Sequence, residues 1–154
     1  MKTSAGLLMY RIQKGKPEIL LVHPGGPYWR NKDIGTWSIP KGEAKKGEEL
    51  IDVAKREFEE ETGFKPEGDF QYLTDVKGST KIVSVWKFKG DADASKLKSN
   101  IIEIEFPPKS KKKIKVPEVD RGGWFTLEEA KKKLVPYQIG IIKAFEDTHS
   151  ARIG

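Results

Sequence analysis

The stretch GEAKKGEELIDVAKREFEEETGF, residues 42–64, constrains the fold more than any other part of the chain, because its helical period and its charge conflict. Gly47 reads as an N-cap, and Glu48 and Glu49 suit the positive end of a helix. Gly63, followed by Phe64 and Pro66, reads as the stop. Such a helix runs about four turns. At roughly 100° per residue, Leu50, Val53 and Ala54 share a side with Glu57, Glu60 and Glu61, with Ile51 and Phe58 along the flank. The apolar stripe that must pack against the protein therefore runs into carboxylates. Solvated charge belongs on the opposite side, where Asp52, Lys55 and Glu59 lie. Carboxylates spaced i, i+3, i+4 repel one another unless a cation neutralises them, and oxygen donors suit a hard divalent ion.

The rest of the composition agrees with an oxygen site. Cysteine is absent, which excludes thiolate sites and disulfides, and His23 and His149 are too far apart in sequence to suggest a histidine-built zinc site. The opening MKTSAGLLMYRIQKG has an apolar run too short for a membrane span, so no membrane association and a cytoplasmic protein are expected. At 154 residues without a break in composition, 1–154 is read as a single domain. A net charge of +6 points towards anionic partners. Five of the lysines fall in KSKKKIK, 109–115, which reads as a solvated loop, with a flap over polyphosphate or nucleic acid as the sharper alternative.

AGLLMYRI and EILLVH, separated by QKGKP, read as a β-hairpin. PGGPYWRNKDIGTW, 24–37, reads as a loop in which Tyr28, Trp29 or Trp37 could stack on a base or pack on the sheet edge. FQYLTDV, KIVSVWKFKG and NIIEIEF alternate as strands, Thr126 caps a short helix, and YQIGIIKAFEDTH closes the chain as another. Strands with helices between and after them make an α/β or α+β domain.

Residues 42–64 also resemble the signature of the Nudix hydrolases, Gly-x5-Glu-x7-Arg-Glu-apolar-x-Glu-Glu-x-Gly-apolar. Its defined positions fall on Gly42, Glu48, Arg56, Glu57, Phe58, Glu60, Glu61, Gly63 and Phe64, and all match. The resemblance implies an α/β fold of the Nudix type, an α/β/α sandwich with a mixed sheet. It implies a pyrophosphohydrolase that uses Mg2+ or Mn2+ to direct water at a phosphorus of a nucleoside diphosphate linked to X, or of a dinucleoside polyphosphate. By the same likeness Glu57, Glu60, Glu61 and the peptide oxygen of Lys41 would hold the metal. Arg56 would keep the carboxylates in place, and Gly42 and Glu48 would support the loop.

The family's general base often lies outside the signature, on the segment leading to a Trp near the last strand. Here that segment is PEVDRGGW, so Glu118 is the first candidate, Glu61 the alternative and Asp120 the third. WSIPKGE resembles the Pro-Lys-Gly loop of diadenosine and diphosphoinositol polyphosphate hydrolases, although KGSTK, 77–81, lacks the tyrosine typical of the former. Arg30, Lys41, Tyr28 and Trp37 are the candidate substrate contacts. The partner expected is a small nucleotide or polyphosphate. A quiet Nudix domain that senses a nucleotide or binds RNA is the alternative, disfavoured because Glu57, Glu60 and Glu61 are all present.

Overall fold

The computed structural model describes residues 1–153, with side chains to His149. Strand β1 (Lys2–Gln13) organises the rest, because every residue from Ser4 to Tyr10 is buried. A strand buried on both faces must lie inside a sheet that is covered on both sides. Ala5, Leu7 and Met9 point to one side, where helix α1 (Leu50–Thr62) brings Val53, Ala54 and Phe58. Leu8 and Tyr10 point to the other, where helix α3 (Ile139–Ile153) brings Ile141, Ile142 and Phe145. The period of two along β1 thus splits the core into two apolar layers. A fully buried side chain such as Phe58 contributes roughly 1.5–3 kcal/mol to holding each layer together.

The sheet is mixed. β1 runs antiparallel to β2 (Lys16–Pro24) and to the short β3 (Lys41–Glu43), and parallel to β5 (Lys81–Lys89). With β4 (Gln71–Lys77) and β8 (Val119–Thr126) at the edges, the order is β4-β5-β1-β2-β8, and β3 pairs with β1 off this path. Helix α2 (Leu127–Lys133) lies on the α3 side, its N-terminus closed by the reciprocal bonds of Thr126 and Glu129. This is an α/β/α sandwich with a mixed sheet, as the sequence predicts.

Three local expectations change. Helix α1 begins at Leu50, with Glu49 rather than Gly47 at its N-cap. Residues 45–48 instead close a turn of their own, in which the Glu48 carboxylate accepts the Lys45 N–H at 2.7 Å. The stop is as expected: Gly63 takes the left-handed φ of 77°, and its N–H donates to the Glu59 carbonyl. Residues 41–43 form a strand rather than a loop, since their backbone groups complete the ladder beside Ser4–Gly6. Finally, 109–115 is only in part a loop. Lys113 and Lys115 belong to β7 (Lys113–Pro117), opposite Glu105 and Glu103 of β6 (Ile101–Glu105), in a separate hairpin whose tip carries Lys109, Lys111 and Lys112. Among the described residues no helix is long and apolar enough to cross a membrane.

Candidate active site

Helix α1 lies across β3, so its last turns stand over the backbone of Lys41 and Gly42. A Cβ built on Gly42 would overlap the carboxyl group of Glu57, so only glycine lets that side chain lie where it does. Glu61, one turn on, is 5% exposed. Burial, then the neighbouring charge of Glu118, holds its carboxyl well above the ordinary carboxylate range, while Lys41 pulls the other way. Glu57 is raised too, first by burial and then by Glu60 and Glu118, with Arg56 opposing. Glu57, Glu61 and Glu118 therefore share one crowded negative region, although Glu118 is distant from the other two in sequence.

Arg56 spans the outer side of this group. Its guanidinium bonds Glu48 and lies 3.5 Å from Glu57 and 3.8 Å from Glu60. Glu60 is consequently the open member of the set, with 44% of its side chain exposed. Glu118 sits at the junction of β7 and β8, pinned at both ends of its peptide: its N–H donates to Asn100 and its carbonyl accepts from Gly25. Asp120 is turned to other work. Its carboxylate lies 2.8 Å from Nδ1 of the fully buried His23, whose Nε2 is 2.6 Å from the Lys32 carbonyl, so it fastens the 24–37 loop to β8.

Three cavities meet at Lys41. One, of about 180 Å3, is bounded by Lys41, Glu61 and Glu118 with Ser38 and Thr36. A second, also about 180 Å3, is largely apolar and holds Trp29, Val135, Tyr137 and Lys81. The third, about 310 Å3, is lined by Lys2, Ser4, Thr80 and Lys81, with Glu43 and Glu118. A larger cavity of about 630 Å3 near Arg11 and Trp124 lies apart from all of these, and its arginine is already paired with Glu18 and Asp91.

Of the aromatic residues suggested by sequence, Trp37 is corrected. It is 5% exposed, its ring meets His23 and Phe125 edge-on, and its indole N–H donates to Asp33, so no face is left for a base. Tyr28 is exposed and has the Lys32 ammonium 3.6 Å from its ring centre, and Arg30 is exposed on the same loop. Neither lines a cavity at Lys41. Tyr137, Lys81 and Lys2, which the sequence reading passed over, do. Their only sequence signal is composition, since a lone Tyr or Lys in a polar segment is indistinguishable from surface.

The donor set at Glu57, Glu60, Glu61 and Lys41 consists of oxygen atoms, and the like-charge crowding is what a bound cation relieves, so these residues fit a hard divalent ion. Among the described residues no group of three or more Asp, Glu or His side chains is arranged so that it could hold a metal ion as it stands. The sequence model of the NUDIX domain matches residues 2–145. The chain belongs to the Nudix family.

Members of the Nudix family generally use divalent metal ions. Solved structures with the same fold include an Ap4A hydrolase from C. elegans, 22% identical with a TM-score of 0.67, covering 98% of this chain and 99% of that one. Another is the NUDIX domain of Shewanella oneidensis NrtR complexed with ADP ribose, 14% identical with a TM-score of 0.67, covering 97% of this chain and 88% of that one. A MutT protein from Methanosarcina mazei is 21% identical with a TM-score of 0.60, covering 96% and 94%. No curated protein matches the sequence.

Proposed function

We propose that this Nudix domain is a metal-dependent pyrophosphohydrolase acting on a nucleoside diphosphate linked to X or on a dinucleoside polyphosphate. The observation that carries the reading is the buried Glu61 beside Glu57 and Glu118, at a cavity that Lys41 shares with an aromatic pocket. Such crowding costs stability in a protein that does nothing with it.

The reaction joins the oxygen of a water molecule to one phosphorus of the anhydride and breaks the bond from that phosphorus to the bridging oxygen. The water loses its proton to a carboxylate, and the bridging oxygen leaves on the second phosphate. Glu57, Glu60, Glu61 and the Lys41 peptide oxygen would hold Mg2+ or Mn2+, which when bound would supply positive charge to offset the phosphate oxygens. Glu118 is the carboxylate we assign as base, because it lines two of the cavities that meet at Lys41, whereas Glu61 lines one of them and is 5% exposed. Arg56 is a positioning residue that keeps Glu48, Glu57 and Glu60 together. The Lys41 ammonium meets phosphate, and a base lies in the cavity of Trp29 and Tyr137.

The test is chromatographic detection of the nucleotide products formed from ADP-ribose, a nucleoside diphosphate hexose, adenosine tetraphosphate and diadenosine tetraphosphate, with magnesium and with chelator. Metal-dependent turnover of at least one, lost in Glu61→Gln, is the expected result. Binding of these nucleotides without turnover would replace the reading with a sensor domain.

A further inference from the structure

We propose that Lys2 and Lys81, together with Lys41, form a phosphate subsite that selects an anionic X, so that the preferred substrate is a nucleoside polyphosphate continuing at least two phosphates beyond the cleaved bond. This rests on the pyrophosphohydrolase reading above and narrows it. Lys2 of β1 and Lys81 of β5 are register partners in the parallel ladder, so their side chains leave the same face side by side. Like charges placed directly across a ladder destabilise it, and nothing in the fold requires two lysines there.

Neutralisation within the protein is slight. Lys2 reaches Glu43 only at 3.9 Å, with both side chains more than half exposed. A pair of that kind contributes little. Lys81 makes no salt bridge among the described residues, and has the Tyr137 ring centre 5.3 Å away. An anion lying between the two ammonium groups and Lys41 removes the repulsion, just as a cation does for the glutamates.

The lining also states what kind of anion. The ammonium groups of Lys2, Lys41 and Lys81 and the hydroxyls of Ser4 and Thr80 outnumber the two carboxylates of the lining, Glu43 and Glu118, and the cavity has no aromatic or aliphatic wall for a sugar or a second base. Its about 310 Å3 lies at the small end of ligand clefts. The Lys2 N–H donates to the Thr80 carbonyl at 2.9 Å, which ties the 77–81 turn to β1 and holds the donors in place before a ligand arrives. Lys41 and Glu118 belong to this cavity and to the carboxylate cavity, while Lys81 and Lys41 belong to this one and to the aromatic cavity. A base between Trp29 and Tyr137 therefore sends its phosphates past Lys81 and Lys41, the cleaved bond lies by Glu118, and the phosphates beyond it rest on Lys2. An X without charge gains nothing from that last position.

The experiment compares wild type with Lys2→Gln/Lys81→Gln in two measurements. In the first, the ratio of kcat/KM for adenosine tetraphosphate to that for ADP-ribose should fall at least tenfold, through KM, with a shallower dependence on salt than in wild type. Lys81→Arg should keep the wild-type ratio. An unchanged ratio in an active double variant overturns the subsite. The second, calorimetric binding of inorganic tripolyphosphate without turnover, does not depend on activity: the double variant should bind at least tenfold more weakly, and equal binding overturns the subsite even if the chain hydrolyses nothing. Absence of turnover by wild type with tripolyphosphate binding lost in the variant would reject the hydrolase reading and leave the subsite standing.

Discussion

The acidic and the basic groups around Lys41 crowd like charges in opposite ways. Glu57 and Glu61 are covered by the protein, so their repulsion acts through a poorly screened medium and burial adds to it, raising both carboxyls. Holding them there takes a dedicated structure: the missing side chain of Gly42, the guanidinium of Arg56, and the pinned peptide of Glu118. Lys2 and Lys81 stand at the open end of the sheet, where water and salt weaken the repulsion, and two strand positions suffice to place them. A charge cluster covered by the protein needs a scaffold, whereas one at the open end of a sheet needs only register.

The largest expected effect falls on the covered group. Glu61→Gln should lower kcat/KM by about 10³-fold, within the range for losing an acid–base or electrostatic group. The same change should raise the melting temperature of the metal-free protein at neutral pH. A carboxyl whose folded pKa lies above its unfolded value costs stability above the unfolded value, so stability falls as pH rises between the two. The variant's advantage should accordingly shrink as pH falls from neutral towards the ordinary carboxylate value of about 4.3, and a thermal melt series from about pH 8 down to about pH 4 checks it. An advantage that does not change with pH would mean that Glu61 is not strained by its surroundings.

Gly42→Ala comes next. The added methyl must displace Glu57 or β3, and such overpacking costs about 1–3 kcal/mol, visible in the melting temperature together with a fall in kcat. Preserved activity would show that Glu57 has another usable position. Glu118→Gln should cut kcat well beyond twofold with KM little changed. A change under about twofold, roughly 0.4 kcal/mol, would move the base to Glu61. Smallest of all is neutralisation of Lys109, Lys111 and Lys112. About 3.3 Å per residue puts the nearest tip lysine, Lys112, roughly 20 Å from Glu118, so KM for adenosine tetraphosphate should change less than about twofold. A larger change would show that the hairpin bends over the site, as the flap reading of the lysine run expects.

Much of this architecture is legible in the chain because the relevant forces are local. The stop at Gly63, the reciprocal cap of Thr126 and Glu129, the strands β4, β5 and β6, and the acidic end of an apolar stripe all depend on neighbours within a few residues. The turn at 45–48 and the strand at 41–43 are not legible in this way, since Glu48 answers to Lys45 and Arg56 together and β3 exists only because Ser4–Gly6 offers it partners. Sequence alone therefore determined the helix that carries the glutamates and the place where its apolar stripe gives way to them. Tertiary structure decided the rest: that Trp37 is core while Trp29 borders a cavity, that Glu118 comes to Glu57 and Glu61, and that Lys2 meets Lys81. The reason is that helical period and capping are set by bonds a few residues long. Strand register is set instead by burying both faces of β1 at once, and the residues that settle it come from the whole chain.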